Sequence, residues 1–298
     1  MNPAPTLVRP LHALWQGAAR VLGLTRRAEK TAMSCKQSFA KAAGVDAEKF
    51  MNLLTSGMDV THTKMRQLAN GAFQISYKSK VFSEKFSIDF AQGHILEGML
   101  TSHESGQGIG RHIFARRLAA GIYLGLEQLD LNAGMMMGGF VWARAGVKMH
   151  EGDRYDVSVM LRERLDLIRD RLDDQTYERV ADLIQLQRDG DLNALTRLDT
   201  KLGGIAAIWN TARHREEQYP IEFKSYRRRG HVKDNSMTLG QYLMFGMYYR
   251  AHVDLNDAAQ MRLVEQYTNT PIRTMAAGWG GRPQQTATPA LQLRPVMV

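Results

Sequence analysis

The sequence predicts an α+β fold, a mixed sheet with flanking helices followed by a mainly helical C-terminal part. Three observations carry this. Phe73, Ile75 and Tyr77 alternate with polar residues, as do Phe86, Ile88 and Phe90, which is the period of half-buried strands. A glycine-rich run, Ser105-Gly-Gln-Gly-Ile-Gly110, opens a stretch with apolar residues at helical spacing. After Asp153 the chain turns to charged helices, with Val157, Leu161, Leu165, Ile168 and Leu172 along one side.

Residues 1–36 form a basic N-terminal segment. No acidic residue precedes Glu29, whereas Arg9, Arg20, Arg26 and Arg27 do. Pro10 suits a first helical position. Leu11, Leu14, Trp15, Ala18, Val21 and Leu22 then mark one face of an amphipathic helix. Such a helix packs on the body of the protein or lies on an anionic membrane surface through residues 9–27. The segment has neither the long apolar core nor the small-residue cleavage site of a secretory signal.

The next region, 37–153, holds the expected sheet. Ser38 to Leu68 reads as weakly helical, with Phe39, Val45, Phe50, Leu53 and Leu54 facing inward. Asn70-Gly71 is a turn signal, the two alternating strands follow, and Gln92-Gly93 is a second turn. Ile95, Leu96, Met99 and Leu100 belong to a third strand, which makes an antiparallel meander. A helix is expected from about Arg111 to Leu126, with Ile113, Phe114, Leu118 and Ile122 inward. Leu129-Asp-Leu131 reads as a short buried strand, and Gly138-Gly139 precedes Phe140 to Gly146.

Region 154–272 reads as a mainly helical extension, or as an insertion before a last strand near Ile221 to Tyr226. Its helices run to about Leu172, from Gln175 to Arg188, after Asp191, through Ile205, Ile208 and Trp209, and over Thr238–Tyr249 and Asn256–Tyr267. Residues 273–298 are polar and rich in Gly, Pro and Gln, as in a flexible tail.

Composition narrows the function classes. Hydrophobic residues make up 44% and charged residues 23%, which is ordinary for a chain with a real core. No apolar run reaches the roughly 18 residues of a membrane span. The single cysteine, Cys35, excludes an intrachain disulfide and a cysteine metal cluster, and it reads as an inert thiol. His62, His94, His112, His150 and His214 show no ligand spacing, so no metal is expected. The net charge of +9 favours anionic partners. Nucleic acid is not expected among them. Tyr226 to Arg229 with His231 lacks an aromatic platform and reads as a solvated loop. Met135, Met136 and Met137 read as gap fillers in a core or pocket wall.

The glycine run has a physical use. Backbone N–H groups at a helix start are unpaired and partly positive, and glycine lets a phosphate come close to them. Gly106, Gly108 and Gly110 therefore suit a pyrophosphate. The run is not a P-loop, since no Gly-Lys-Ser/Thr follows. It is not a Rossmann fingerprint either, because Arg111 stands where the third glycine belongs. The spacing downstream is more specific. Gly125 lies 15 residues after Gly110, Leu129 and Leu131 lie 19 and 21 after it, Trp142 lies 11 after Leu131, and Gly146-Val147 closes the pattern.

Over roughly residues 71–150 this arrangement resembles the GNAT family of N-acetyltransferases. The resemblance implies an acyl-CoA-dependent N-acyltransferase that moves an acetyl group from a CoA thioester to an amine or protein acceptor. Acetyl-CoA, or another acyl-CoA, would lie against Ser105, Gly106, Gln107, Gly108, Ile109, Gly110 and Arg111. The amine would attack directly, and a base would sit late on the preceding strand, where Glu97, His103 and Glu104 stand. A base of near-neutral pKa serves best, which histidine has by default. Two positions depart from the family. Ser105 replaces arginine or glutamine, and Trp142 replaces the tyrosine that acts as general acid. An indole N–H donates a hydrogen bond but gives up no proton. These departures support a second expectation, a catalytically inactive GNAT-like protein of binding or assembly, phage-related or an exported bacterial effector. The expected compartment is the bacterial cytoplasm, with export as the alternative.

Overall fold

A computed structural model describes residues 34–102, 108–134, 138–186, 190–203 and 237–280. The architecture is mixed α+β. The chain divides into two units, Met1–Lys49 and Phe50–Val298. In the first, Ser34 and Gln37 form a reciprocal capping box at the start of α1 (Cys35–Ala43), and Gly44 ends that helix in the left-handed conformation. Lys36 pairs with Glu48. Helix α2 (Ala47–Thr55) carries the chain into the second unit.

The second unit is built on a sheet of seven strands among the described residues, in the order β1-β2-β3-β4-β5-β7-β6. The strands are β1 (Val60–Gln67), β2 (Phe73–Ser79), β3 (Phe82–Asp89), β4 (His94–Ser102), β5 (Gln128–Ala133), β6 (Lys148–Met149) and β7 (Tyr249–Asp254). Neighbours are antiparallel except β4 and β5, which run parallel. Helix α3 (Ile109–Leu124) makes the crossover that a parallel pair requires. Helices α4 (Gly138–Arg144), α5 (Arg154–Asp166), α6 (Asp174–Gln185), α7 (Leu239–Met244), α8 (Ala258–Thr268) and α9 (Ile272–Gly278) complete the unit.

The two faces of the sheet differ in chemistry. Phe73, Ile75, Tyr77, Phe86, Ile88, Ile95, Leu129, Leu131, Ala251 and Val253 are buried on one face. Their strand neighbours, such as Lys78, Lys85, Asp130 and His252, lie on the other. Helix α3 packs on β4, β5, α8 and α9 and is buried almost all round. A Cβ at Gly121 would come within 2.7 Å of Leu255 and 2.9 Å of Ile95, so a glycine lets α3 lie this close to the sheet.

Two buried polar contacts tie distant segments together. Gln260 donates to the carbonyls of Gly146 at 2.9 Å and His252 at 3.0 Å, and accepts from the Asp254 N–H at 2.9 Å. Arg164 donates to the carbonyls of Leu243 at 2.5 Å and Phe245 at 2.9 Å, which holds α5 to the end of α7.

Strands β1 and β7 depart from the sequence reading. Val60 to Gln67 lies inside the stretch expected to be helical, but forms the edge strand. Its residues are half-buried or exposed on both faces, so no apolar alternation marks it. Thr238 to Tyr249 was expected as one helix. The chain instead leaves the helix after Met244 and enters the sheet at Tyr249, where Tyr249, Ala251 and Val253 are buried in alternation with Arg250, His252 and Asp254. The region 154–272 thus contributes a strand between β5 and β6 as well as helices. Ile221 to Tyr226, Ile205 to Trp209 and the cluster Tyr226–His231 lie outside the described residues, as do Met135–Met137, residues 1–33 and most of the tail. Among the described residues no helix is long and apolar enough to cross a membrane.

Candidate active site

The parallel pair β4–β5 is short. His94 pairs with Gln128, Ile95 with Leu129 and Leu96 with Asp130. Among the described residues, β4 continues beyond Leu96 to Ser102 against β3 alone, and β5 continues beyond Asp130 to Ala133 against β7 alone. The two strands therefore part at Leu96 and Asp130 and form a fork. Among the described residues, backbone groups facing the opening have no ladder partner across it, so they suit a ligand's amide or carbonyl. Gly98 sits just inside the opening. Phe86 pairs with Glu97 and Lys85 with Met99, which makes Gly98 the extra residue of a bulge. A Cβ there would lie 2.5 Å from the Lys85 carbonyl oxygen, so the bulge requires glycine.

Helix α3 starts beyond the open end of β4. Gly108 is its N-cap, at φ +72°, and brings no side-chain cap to the first turn. No acidic residue stands in that turn. The space where a Gly108 Cβ would point is open, and a Cβ at Gly110 would lie 3.8 Å from Leu100 of β4. Arg111 lies over the Tyr267 ring of α8, 4.8 Å from its centroid. Gly108, Ile109, Gly110 and Arg111 thus share the first turn of the helix that follows the fork. His103, Glu104, Ser105, Gly106 and Gln107 lie outside the described residues. Glu97 occupies β4 opposite Phe86, one residue past the last β4–β5 pair. Trp142 of α4 packs edge-on against Phe114 of α3, with centroids 4.8 Å apart.

A polar cluster stands at the closed end of the fork, on the face opposite the apolar core. Asp130 is its centre. One carboxylate oxygen accepts from Gln128 Nε2 at 2.5 Å and stands 3.3 Å from His150 Nε2. The other oxygen stands 2.8 Å from His94 Nδ1. His252 is the cross-strand neighbour of Asp130 on β7, and its ring centroid lies 4.9 Å from that of His150. The His252 Nδ1 is buried and makes no hydrogen bond among the described residues. Burial holds the His252 pKa below the ordinary histidine value, and the neighbouring His150 adds to this. Side chains of His94 and His150 remain about a third exposed, at 30% and 36%, so water and solutes reach them. Among the described residues no group of three or more His, Cys, Asp or Glu is arranged to hold a metal ion.

The sequence reading singled out the glycine run and the residues late on β4, weighed His94 and His150 only as metal ligands, and passed over Asp130 and His252. A signal was present in Leu129-Asp-Leu131, where a carboxylate interrupts an apolar strand. The histidines come from β4, β7 and the residue after β6, so only the strand order brings them together. No family model, curated protein or solved structure matches the chain.

Proposed function

We propose that the chain is an acyl-CoA-dependent N-acyltransferase with a GNAT-like core. One observation carries the reading: the β4–β5 fork opens at Leu96 and Asp130 between a helix start whose N-cap, Gly108, brings no side-chain cap and a cluster of protonatable side chains. The first-turn N–H groups of α3 suit the pyrophosphate, and the unbridged edges of β4 and β5 suit the amides of a pantetheine arm. Bound acyl-CoA supplies the activated thioester.

The remaining work falls to the chain. An acceptor amine reaches the fork from the polar face and must shed a proton to become nucleophilic. His150 is placed to take it. Donating from Nε2 to Asp130 fixes its tautomer and leaves Nδ1 as the acceptor. Asp130 then steadies the imidazolium, as a carboxylate behind a histidine does. As the new C–N bond forms, the C–S bond breaks, and the departing thiolate takes up a proton from water or from the cluster.

Titration calorimetry with acetyl-CoA tests this, on the wild type and on a Gly108→Trp, Gly110→Trp variant. The expected result is micromolar binding that the variant loses. A folded wild type that binds no acetyl-CoA overturns the reading. A second reading, a GNAT-like binding or assembly protein without catalysis, is favoured by Trp142, which is packed on Phe114 where the family's acid would stand. Binding of acetyl-CoA without turnover on any amine selects it.

A further inference from the structure

We propose that the free edge of β1 docks an extended acidic peptide segment, which adds to the sheet as a further strand. This does not rest on the acyltransferase reading. Among the described residues β1 pairs only with β2, so alternate backbone N–H and C=O groups along its outer side have no ladder partner. That side is a template for β-strand addition, in which main-chain hydrogen bonds give affinity and alternate side chains give specificity.

The side chains beside this edge specify the occupant. His62, Lys64 and Arg66 share one face of β1 and are exposed. Behind them across the sheet lie Lys78, paired in register with His62, and Lys85, which faces Ser76 as Lys64 does. Five basic side chains therefore share the open face of β1, β2 and β3. The carboxylates of these strands do not neutralise them. Glu84 points to the buried face and pairs with Arg117. Asp89 stands at the far end of β3, where it caps the turn by accepting from Ala91 and Gln92. Between the basic rows lies a depression of about 420 Å³, whose lining includes His62, Lys64, Lys78 and Lys85 and also Tyr77 and Glu84.

Lysine on an edge strand also deters self-pairing. That role needs charges on β1 alone and not the rows behind it on β2 and β3. Among the described residues His62 carries the one ring on this face, too little to stack a run of bases, which favours an acidic polypeptide over a single-stranded nucleic acid. A strand laid along β1 with carboxylates at every second position would set them against His62, Lys64 and Arg66, with longer side chains reaching the depression.

Fluorescence anisotropy on the full chain tests this with a labelled peptide that alternates glutamate and valine. The expected result is saturable binding that weakens at least tenfold in Lys64→Glu, Arg66→Glu and is lost when alternate peptide nitrogens are methylated. Both substitutions are exposed, and circular dichroism confirms that the variant is folded. Three outcomes overturn the proposal: no binding at low salt, equal binding of the methylated peptide, or tighter binding of a single-stranded oligonucleotide that depends on the same two residues. The first assigns the basic edge to protection against self-pairing, the second to unspecific charge attraction, and the third to nucleic acid.

Discussion

His94 and Asp130 meet across the parallel pair at the closed end of the fork, with Nδ1 2.8 Å from Oδ2. The same carboxylate holds His150, so Asp130 orients two imidazoles. Asp130→Asn removes that charge with little change in shape. If the cluster serves proton transfer, acyl transfer falls by about 10²- to 10⁴-fold, with the loss in kcat and little change in acetyl-CoA affinity. Asp130 also works against the depression of the His252 pKa. Histidine titration by NMR is therefore expected to show His252 protonating at a still lower pH in the variant. An unchanged titration would separate the two groups.

His252 ties stability to pH. Its pKa is lowered in the folded state, mainly by burial, so the unfolded chain binds its proton more readily. The contribution is present above about 6.5, the ordinary histidine value, and is lost as pH falls below it toward the folded pKa. Melting temperature is thus expected to decline from pH 7 to 5, and to decline less in His252→Gln.

A second titration acts in stronger acid. Lys148, 2.8 Å away, and the N–H groups that begin α8 hold the Asp257 pKa down to about 2. Its contribution is present above the ordinary carboxylate range and is lost as pH falls toward about 2. The pair is partly exposed, so the effect is small and screened by salt. Asp257→Asn is expected to flatten the acid limb of the melting curve below pH 4.

These groups show what the sequence could and could not reveal. The meander from Phe73 to Leu100 was legible because one face of each strand is apolar, and α3 because its ends carry glycines. Strand β1 was not, since an edge strand open on both sides has no apolar period to read. Strand β7 was masked by its neighbour, because Leu239 to Met244 supplies a real helical turn before Phe245 and Gly246 redirect the chain. The Asp130 cluster depends on β7 entering the sheet between β5 and β6, a relationship between residues more than a hundred positions apart.

Glu84 and Arg117 form an ion pair that is almost wholly buried. Arg117 also lies over the Phe86 ring, 5.6 Å from its centroid. Removing one charge leaves the other buried without this ion-pair partner, so Glu84→Leu is expected to cost about 3–5 kcal/mol in urea unfolding. The double variant Glu84→Leu, Arg117→Met restores neutrality and is expected to recover most of that loss. A double variant as unstable as the single one would mean that the pair specifies the packing of α3 on the sheet.

Gly98 separates the geometry of the fork from its chemistry. Its missing Cβ leaves room for the Lys85 carbonyl, which would otherwise lie 2.5 Å away. Backbone cannot yield as a side-chain tip can, so Gly98→Ala must shift β4 against β3 or open the bulge. The expected cost is about 1–3 kcal/mol. Because Gly98 lies two residues beyond the last β4–β5 pair, the strain falls on the strand that borders the opening. On the proposed acyl-CoA reading, acetyl-CoA affinity is therefore expected to drop more than stability alone accounts for. Calorimetry well below the variant's melting temperature checks this. Unchanged affinity in the folded variant would move the ligand away from the β4 side of the fork and leave the start of α3 as its remaining contact.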